Sequence, residues 1–115
     1  MTWAVIFEVT PLQGRLQRYL DIAAELKPVL ERIDGFISVE RFQSLTRPDV
    51  YLSLSYWRDE QAIARWRNEL RHRNGQREGR QAVFADYRIH VMNSVRTYGM
   101  HDRTQAPADS RAALP

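Results

Sequence analysis

The chain predicts an α+β, ferredoxin-like fold of order βαββαβ, and three observations predict it. Four segments alternate their side chains with the period of two that marks strands. Two longer segments repeat apolar residues at spacings of three and four, the period of helices. The order in which they occur is that of the split βαβ arrangement, an antiparallel sheet with two helices on one face.

Trp3 to Val9 is the first strand, with Trp3, Val5, Phe7 and Val9 on one side and Ala4 and Ile6 on the other. A strand that is apolar on both sides requires cover on both faces of its sheet. Pro11 and Gly14 mark a turn. From Arg15 to Ile33, Leu16, Tyr19, Leu20, Ala23, Leu26, Leu30 and Ile33 make one helical stripe, interrupted by Pro28, which predicts a kink. Asp34-Gly35 ends this helix, with Gly35 suited to a left-handed position just past it. Phe36 to Leu45 and Val50 to Trp57 are the second and third strands, joined by Thr46-Arg47-Pro48-Asp49. Asp59 is placed to cap a second helix, on which Ile63, Trp66 and Leu70 form the stripe. That helix weakens around Asn74-Gly75 and restarts or ends near Gly79. Phe84 to Tyr98 contains the fourth strand.

These boundaries give one domain, residues 1–98, and a tail, residues 99–115, rich in Ala, Asp, Arg and Pro. The tail reads as flexible or as an arm ordered by contact with a dimer partner. Two helices cover only one sheet face, so the opposite face would be a large apolar patch unless a second copy packs on it. A homodimer, sheet against sheet, is therefore expected from the pattern alone.

Composition narrows the chemistry. The chain has no cysteine, which removes disulfides, zinc thiolates and thiol nucleophiles and fits a reducing, cytoplasmic setting. The N-terminus MTWAVIFEVTP has no basic n-region, and no apolar run reaches membrane-spanning length, so neither a secretory leader nor a membrane partner is expected. The net charge is +3 and comes from arginine, with acids interspersed rather than a contiguous basic stripe. Nucleic acid is accordingly not an expected partner. Phosphate-cradling glycine motifs, H-E-x-x-H and G-x-S-x-G are all absent from the sequence.

The opening AVIFEV, the DGFISVERF entry to strand two, the LSLSYWRDEQAIARW junction, the H-x3-Q-x2-G-R run from His72 to Arg80, and the closing FADYRIHV and RTY occur in an informative order. Together they resemble the antibiotic biosynthesis monooxygenase (ABM) domain over nearly all of Met1 to Tyr98. The resemblance implies a dimeric α/β barrel with a pocket between sheet and helices in each subunit. It implies one of two oxidations: of a small aromatic or quinol-type molecule by molecular oxygen without a cofactor, or of haem bound through a histidine. A small-molecule-binding dimer without turnover is the third reading.

Against the haem branch, Trp66 matches the family tryptophan, His72 lies closer to it than the family's ligating histidine does, and Ile6-Phe7-Glu8 offers no first-strand amide. Against the cofactor-free branch, Trp57 matches the tryptophan ending strand three, while Ser53 and Ile63 stand where the family has Asn and Tyr. The favoured expectation is a cofactor-independent monooxygenase with His72 as the base, since imidazole is the natural proton acceptor near neutral pH. Trp66, Trp57, Phe7, Ser53 and Tyr56 are the expected substrate-binding residues, and no metal is expected. Arg41 and Arg96 offer either an anion-binding fork or, as the favoured reading, an intersubunit salt bridge to Glu8 or Glu40.

Overall fold

The computed structural model describes residues 2–75 and 83–113. The elements run β1 (Trp3–Pro11), α1 (Leu16–Glu31), β2 (Phe36–Gln43), β3 (Tyr51–Trp57), α2 (Glu60–Gly75), β4 (Phe84–Asn93) and α3 (Ala108–Ala113). The four strands form one antiparallel sheet of order β2-β3-β1-β4. The first six elements are in the order expected from periodicity. The expected end or restart of the second helix near Gly79 lies outside the described residues.

The boundaries that differ have physical reasons. Pro11 does not begin a turn but closes β1, after a register shift at Thr10/Pro11 that pairs it with Phe84. β3 has already ended opposite Val9, so the missing N–H of proline costs no ladder bond there. β4 stops at Asn93 rather than running to Tyr98, because its partner β1 begins at Trp3, opposite Asn93. One last bond, Ser94 N–H to the Thr2 carbonyl at 2.7 Å, finishes the ladder. α1 passes through Pro28 as a single element.

The turns are made as their residues dictate. Gly35 adopts φ +95°, the left-handed conformation that ends α1. Asp59 caps α2, its Oδ1 accepting the Ala62 N–H at 2.8 Å. Between them Arg58 forms a two-pronged pair with Asp34, at 3.1 and 3.2 Å, and donates to Asp59 at 2.8 Å. Hydrogen bonding to Arg58 holds both carboxyls below the usual range, and the two acids raise the guanidinium in turn.

Leu30, Trp57, Ala62 and Ile63 form the buried core, with Trp3, Val5, Ile33, Phe36, Val39 and Trp66 packed on it. It therefore lies between the helices and one sheet face. A bulge between Phe36 and Ser38 brings both Phe36 and Val39 onto that face and leaves Ile37 exposed. Phe36 meets Trp57 edge-to-face at 5.4 Å. Trp57 is 1% exposed, and truncating such a residue to alanine costs about 3–5 kcal/mol.

The opposite face carries Ile6, Leu52, Leu54, Tyr56, Met92 and Phe42 in register across the four strands and has no helix on it. After β4 the chain turns on itself. Thr97 N–H bonds Gln105 at 2.7 Å, Gly99 N–H bonds Asp102 at 2.8 Å, and Arg111 reaches the Ala106 and Thr104 carbonyls. Ala106 is buried by this local fold, which ends in α3.

Candidate functional site

Alternation along the strands decides which side chains reach the space under the helices. On that face Arg41, Ser53, Phe7 and Ile89 form one cross-strand row, and Val39, Ser55, Val5 and Val91 the next. α1 contributes Tyr19, Ile22, Ala23, Leu26 and Leu30, and α2 contributes Ile63, Trp66, Arg67 and Leu70. Together they line a cavity of about 950 Å³, a size that accepts a small organic molecule.

The cavity has two aromatic walls. Trp57 and Trp66 form one. The indole N–H of Trp57 donates to Ser55 Oγ at 2.8 Å, and Ser55 reaches the Val5 carbonyl at 3.4 Å, so the ring is held in one orientation. The other wall is a cluster of edge-to-face rings. Phe84 lies 5.7 Å from Phe7 and 5.7 Å from Tyr19. Tyr19 is 4% exposed. Its hydroxyl accepts a hydrogen bond from Arg41 Nε at 3.0 Å, and the guanidinium sits over its ring at 5.4 Å.

Of the residues expected from sequence, Phe7, Ser53, Trp57 and Trp66 come together on the cavity. Tyr56 does not. It falls between Ser55 and Trp57, so the pleat turns it to the helix-free face, where it is 38% exposed. His72 also stands apart: it is exposed on the last turns of α2 and is not among the residues lining the cavity. His72 lies six positions after Trp66, which at about 100° per residue turns the two side chains well away from each other. The expected base is therefore not inside the cavity.

Arg41 corrects another expectation. It lies on the helix side, whereas Glu8 and Glu40 lie on the other, and Glu8 pairs with Arg47 at 2.9 Å within the chain. Arg96 is exposed beyond the end of β4. Sequence reading missed the Tyr19–Arg41 pair, which joins residues 22 positions apart. The available signal was a tyrosine on an otherwise aliphatic stripe.

A two-layer ferredoxin-like domain with an apolar cavity between its layers is the class of protein these observations define. The sequence pattern of the family described as antibiotic biosynthesis monooxygenase matches residues 2–94, and the chain belongs to that family. Jasmonate monooxygenase ABM of Pyricularia oryzae (strain 70-15) is 47% identical over 89 residues, covering 77% of this chain. The chain spans 41% of the length of that curated relative.

Among solved structures, a variant of SnoaB, a cofactor-independent oxygenase from Streptomyces nogalater, superposes with a TM-score of 0.64 at 14% identity, covering 84% of this chain and 95% of that one. The haem degrader MhuD of Mycobacterium tuberculosis, with two haems in its active site, also has a TM-score of 0.64, at 16% identity, covering 84% of this chain and 99% of that one. At these identities the likeness is one of fold. The two differ in cofactor, and in this chain no histidine lines the cavity among the described residues. Its three histidines are His72, outside the cavity, His90, on the helix-free face, and His101, beyond β4.

Proposed function

We propose that the chain is a cofactor-independent monooxygenase that oxidises a small aromatic or quinol-type molecule with dioxygen in the cavity between sheet and helices. The observation that carries this reading is the cavity itself: two aromatic walls with a cationic lining, in a member of this family. The relative named for jasmonate supports a small cyclic substrate.

The chemistry needs an anion. A substrate that loses a proton from an activated C–H or O–H becomes electron-rich enough to give one electron to dioxygen. The resulting radical and superoxide combine, forming a C–O bond and a peroxide. Cleavage of the O–O bond leaves one oxygen on the substrate as a carbonyl and releases the other as water. The substrate supplies all the electrons, so no external reductant is consumed. The walls formed by Trp57, Trp66 and Phe84 hold a flat ring and exclude bulk water, and Arg41, Lys27 and Arg67 favour the anion over its neutral parent. With His72 outside the cavity, the proton passes to water at the mouth.

The test is oxygen uptake with dithranol as substrate, with chelator and catalase present. Uptake above the protein-free rate is expected. Ala23→Trp, which fills the cavity from α1, is expected to lower it at least about tenfold by displacing the substrate from its reactive pose. Uptake equal to the protein-free rate across an anthrone, a quinol and an enolisable cyclic ketone would refute the reading.

A further inference from the structure

The charge of the cavity lining is one-sided. Arg15, Arg18, Lys27, Arg41 and Arg67 all contribute to it, and among the described residues no Asp or Glu does. Arg18 has an acid nearby, Glu25 at 3.8 Å. For Arg41, no ion pair is found among the described residues.

Three polar groups converge at one end. Arg41 and Ser53 are cross-strand partners on the cavity face of β2 and β3, which sets their Cα atoms about 5 Å apart. Tyr19 joins them from α1 through its bond from Arg41 Nε. That bond uses the Tyr19 oxygen as acceptor, so the hydroxyl proton remains to be donated, and no acceptor for it is found among the described residues. The Ser53 hydroxyl, half-buried in the same row, likewise has no hydrogen-bond partner among them, unlike Ser55, which Trp57 occupies. The terminal nitrogens of Arg41 remain as a fork. The result is a cluster of donors, one of them charged, on the cavity wall.

We propose that Tyr19, Arg41 and Ser53 form a carboxylate-anchoring subsite, so that the substrate is an apolar-bodied carboxylic acid held head-first at this end. The planar fork of arginine matches a carboxylate in two parallel bonds, and the two hydroxyls fill its remaining lone pairs. The ring or chain of the acid then lies along Phe7, Phe84 and the two tryptophans, which sets the part to be oxidised away from the charged head. The substrate class rests on the oxygenase reading above; the anchoring subsite does not, because binding needs no turnover.

The experiment is calorimetric titration of the purified full chain at neutral pH with naphthalene-2-carboxylate and, as a neutral isostere, naphthalene-2-carboxamide. The carboxylate is expected to bind at least about tenfold tighter, as charge-assisted bonds allow. Arg41→Gln and Arg41→Met are expected to bring the two affinities within about twofold of each other, chiefly by weakening the carboxylate. Arg41 is exposed on an edge strand, so both variants should stay folded, which a cooperative melting curve checks. Equal binding of the two probes, binding of neither, or a preference that survives both Arg41 variants and disappears in Arg67→Gln would overturn the assignment. Oxygen uptake is measured separately, so a binding protein without turnover would refute the oxygenase and leave the anchor standing.

Discussion

Gly35 is fixed by two independent constraints. Its φ of +95° is a conformation that side chains resist, and a Cβ built there would lie 2.6 Å from the Cβ of Ala62 on α2. Gly14 shares only the first constraint: its φ is +78°, and nothing lies within 4 Å of an added Cβ. Gly35→Ala is therefore expected to cost about 2–4 kcal/mol, the sum of backbone strain and overpacking. Gly14→Ala is expected to cost about 1 kcal/mol. Urea unfolding checks this: the Gly35 variant should show the larger fall in midpoint, with the slope unchanged in both. Equal midpoints would show that α2 yields without cost. The left-handed conformation of Gly35 was legible from Asp-Gly closing an apolar stripe. Its contact with Ala62 was not, since nothing local reports which residue of a later helix passes overhead. For His72 the chemistry of imidazole was legible and its placement was not: it is exposed on α2 and is not among the described residues that line the cavity.

Arg58 joins elements, tying the Asp34 turn after α1 to the Asp59 cap of α2. Both carboxyls are held below their ordinary value of 3.8 in the folded chain, chiefly by hydrogen bonds from Arg58. A lowered folded-state value means the contribution is fully present above the unfolded value and is lost as pH falls through the folded one. The melting temperature of the wild type should therefore lose this contribution below the ordinary carboxylate range. In Arg58→Gln that drop should be shallower, because there is less to lose. Parallel melting curves for the two proteins from neutral pH into acid would refute this. The effect will be modest, since all three side chains face solvent and water screens them. At this scale the elements themselves were legible, because periods of two and 3.6 survive in any segment that buries one face. The bulge at Ile37 and the stop of β4 at Asn93 were not, being set by the strands alongside.

The whole chain has a radius of gyration of 17.1 Å, against about 13 Å for a compact domain of this length. The stretch after β4 folds on itself and ends in α3. On the helix-free face Tyr56, Phe42 and Met92 are 38%, 43% and 44% exposed, alongside Ile6, Leu52 and Leu54. An apolar face of this extent calls for a partner, and a second copy of the same sheet is the expected one, burying on the order of 2,000 Å². Sedimentation at micromolar concentration should give the dimer mass, and Tyr56→Glu should shift it towards monomer. A folded wild-type monomer under those conditions would end this expectation. The two-sided apolarity of β1 was enough to raise it from the sequence. The Tyr19–Arg41–Ser53 cluster was beyond reach, because it draws on α1, β2 and β3 and becomes visible only once the sheet is closed.

The chain has three tryptophans, and all of them sit in a single neighbourhood: Trp57 in the core, with Trp3 and Trp66 packed against it. Intrinsic fluorescence is thus a local gauge. An occupant of the cavity will change the emission, since Trp57 and Trp66 line it, and so will collapse of the layer between sheet and helices. Separation of two copies at the helix-free face will leave the signal nearly unmoved, as will any rearrangement around α3. A titration followed by emission will therefore report ligand entry without interference from assembly, while for the expected dimer a dilution series followed the same way will look featureless.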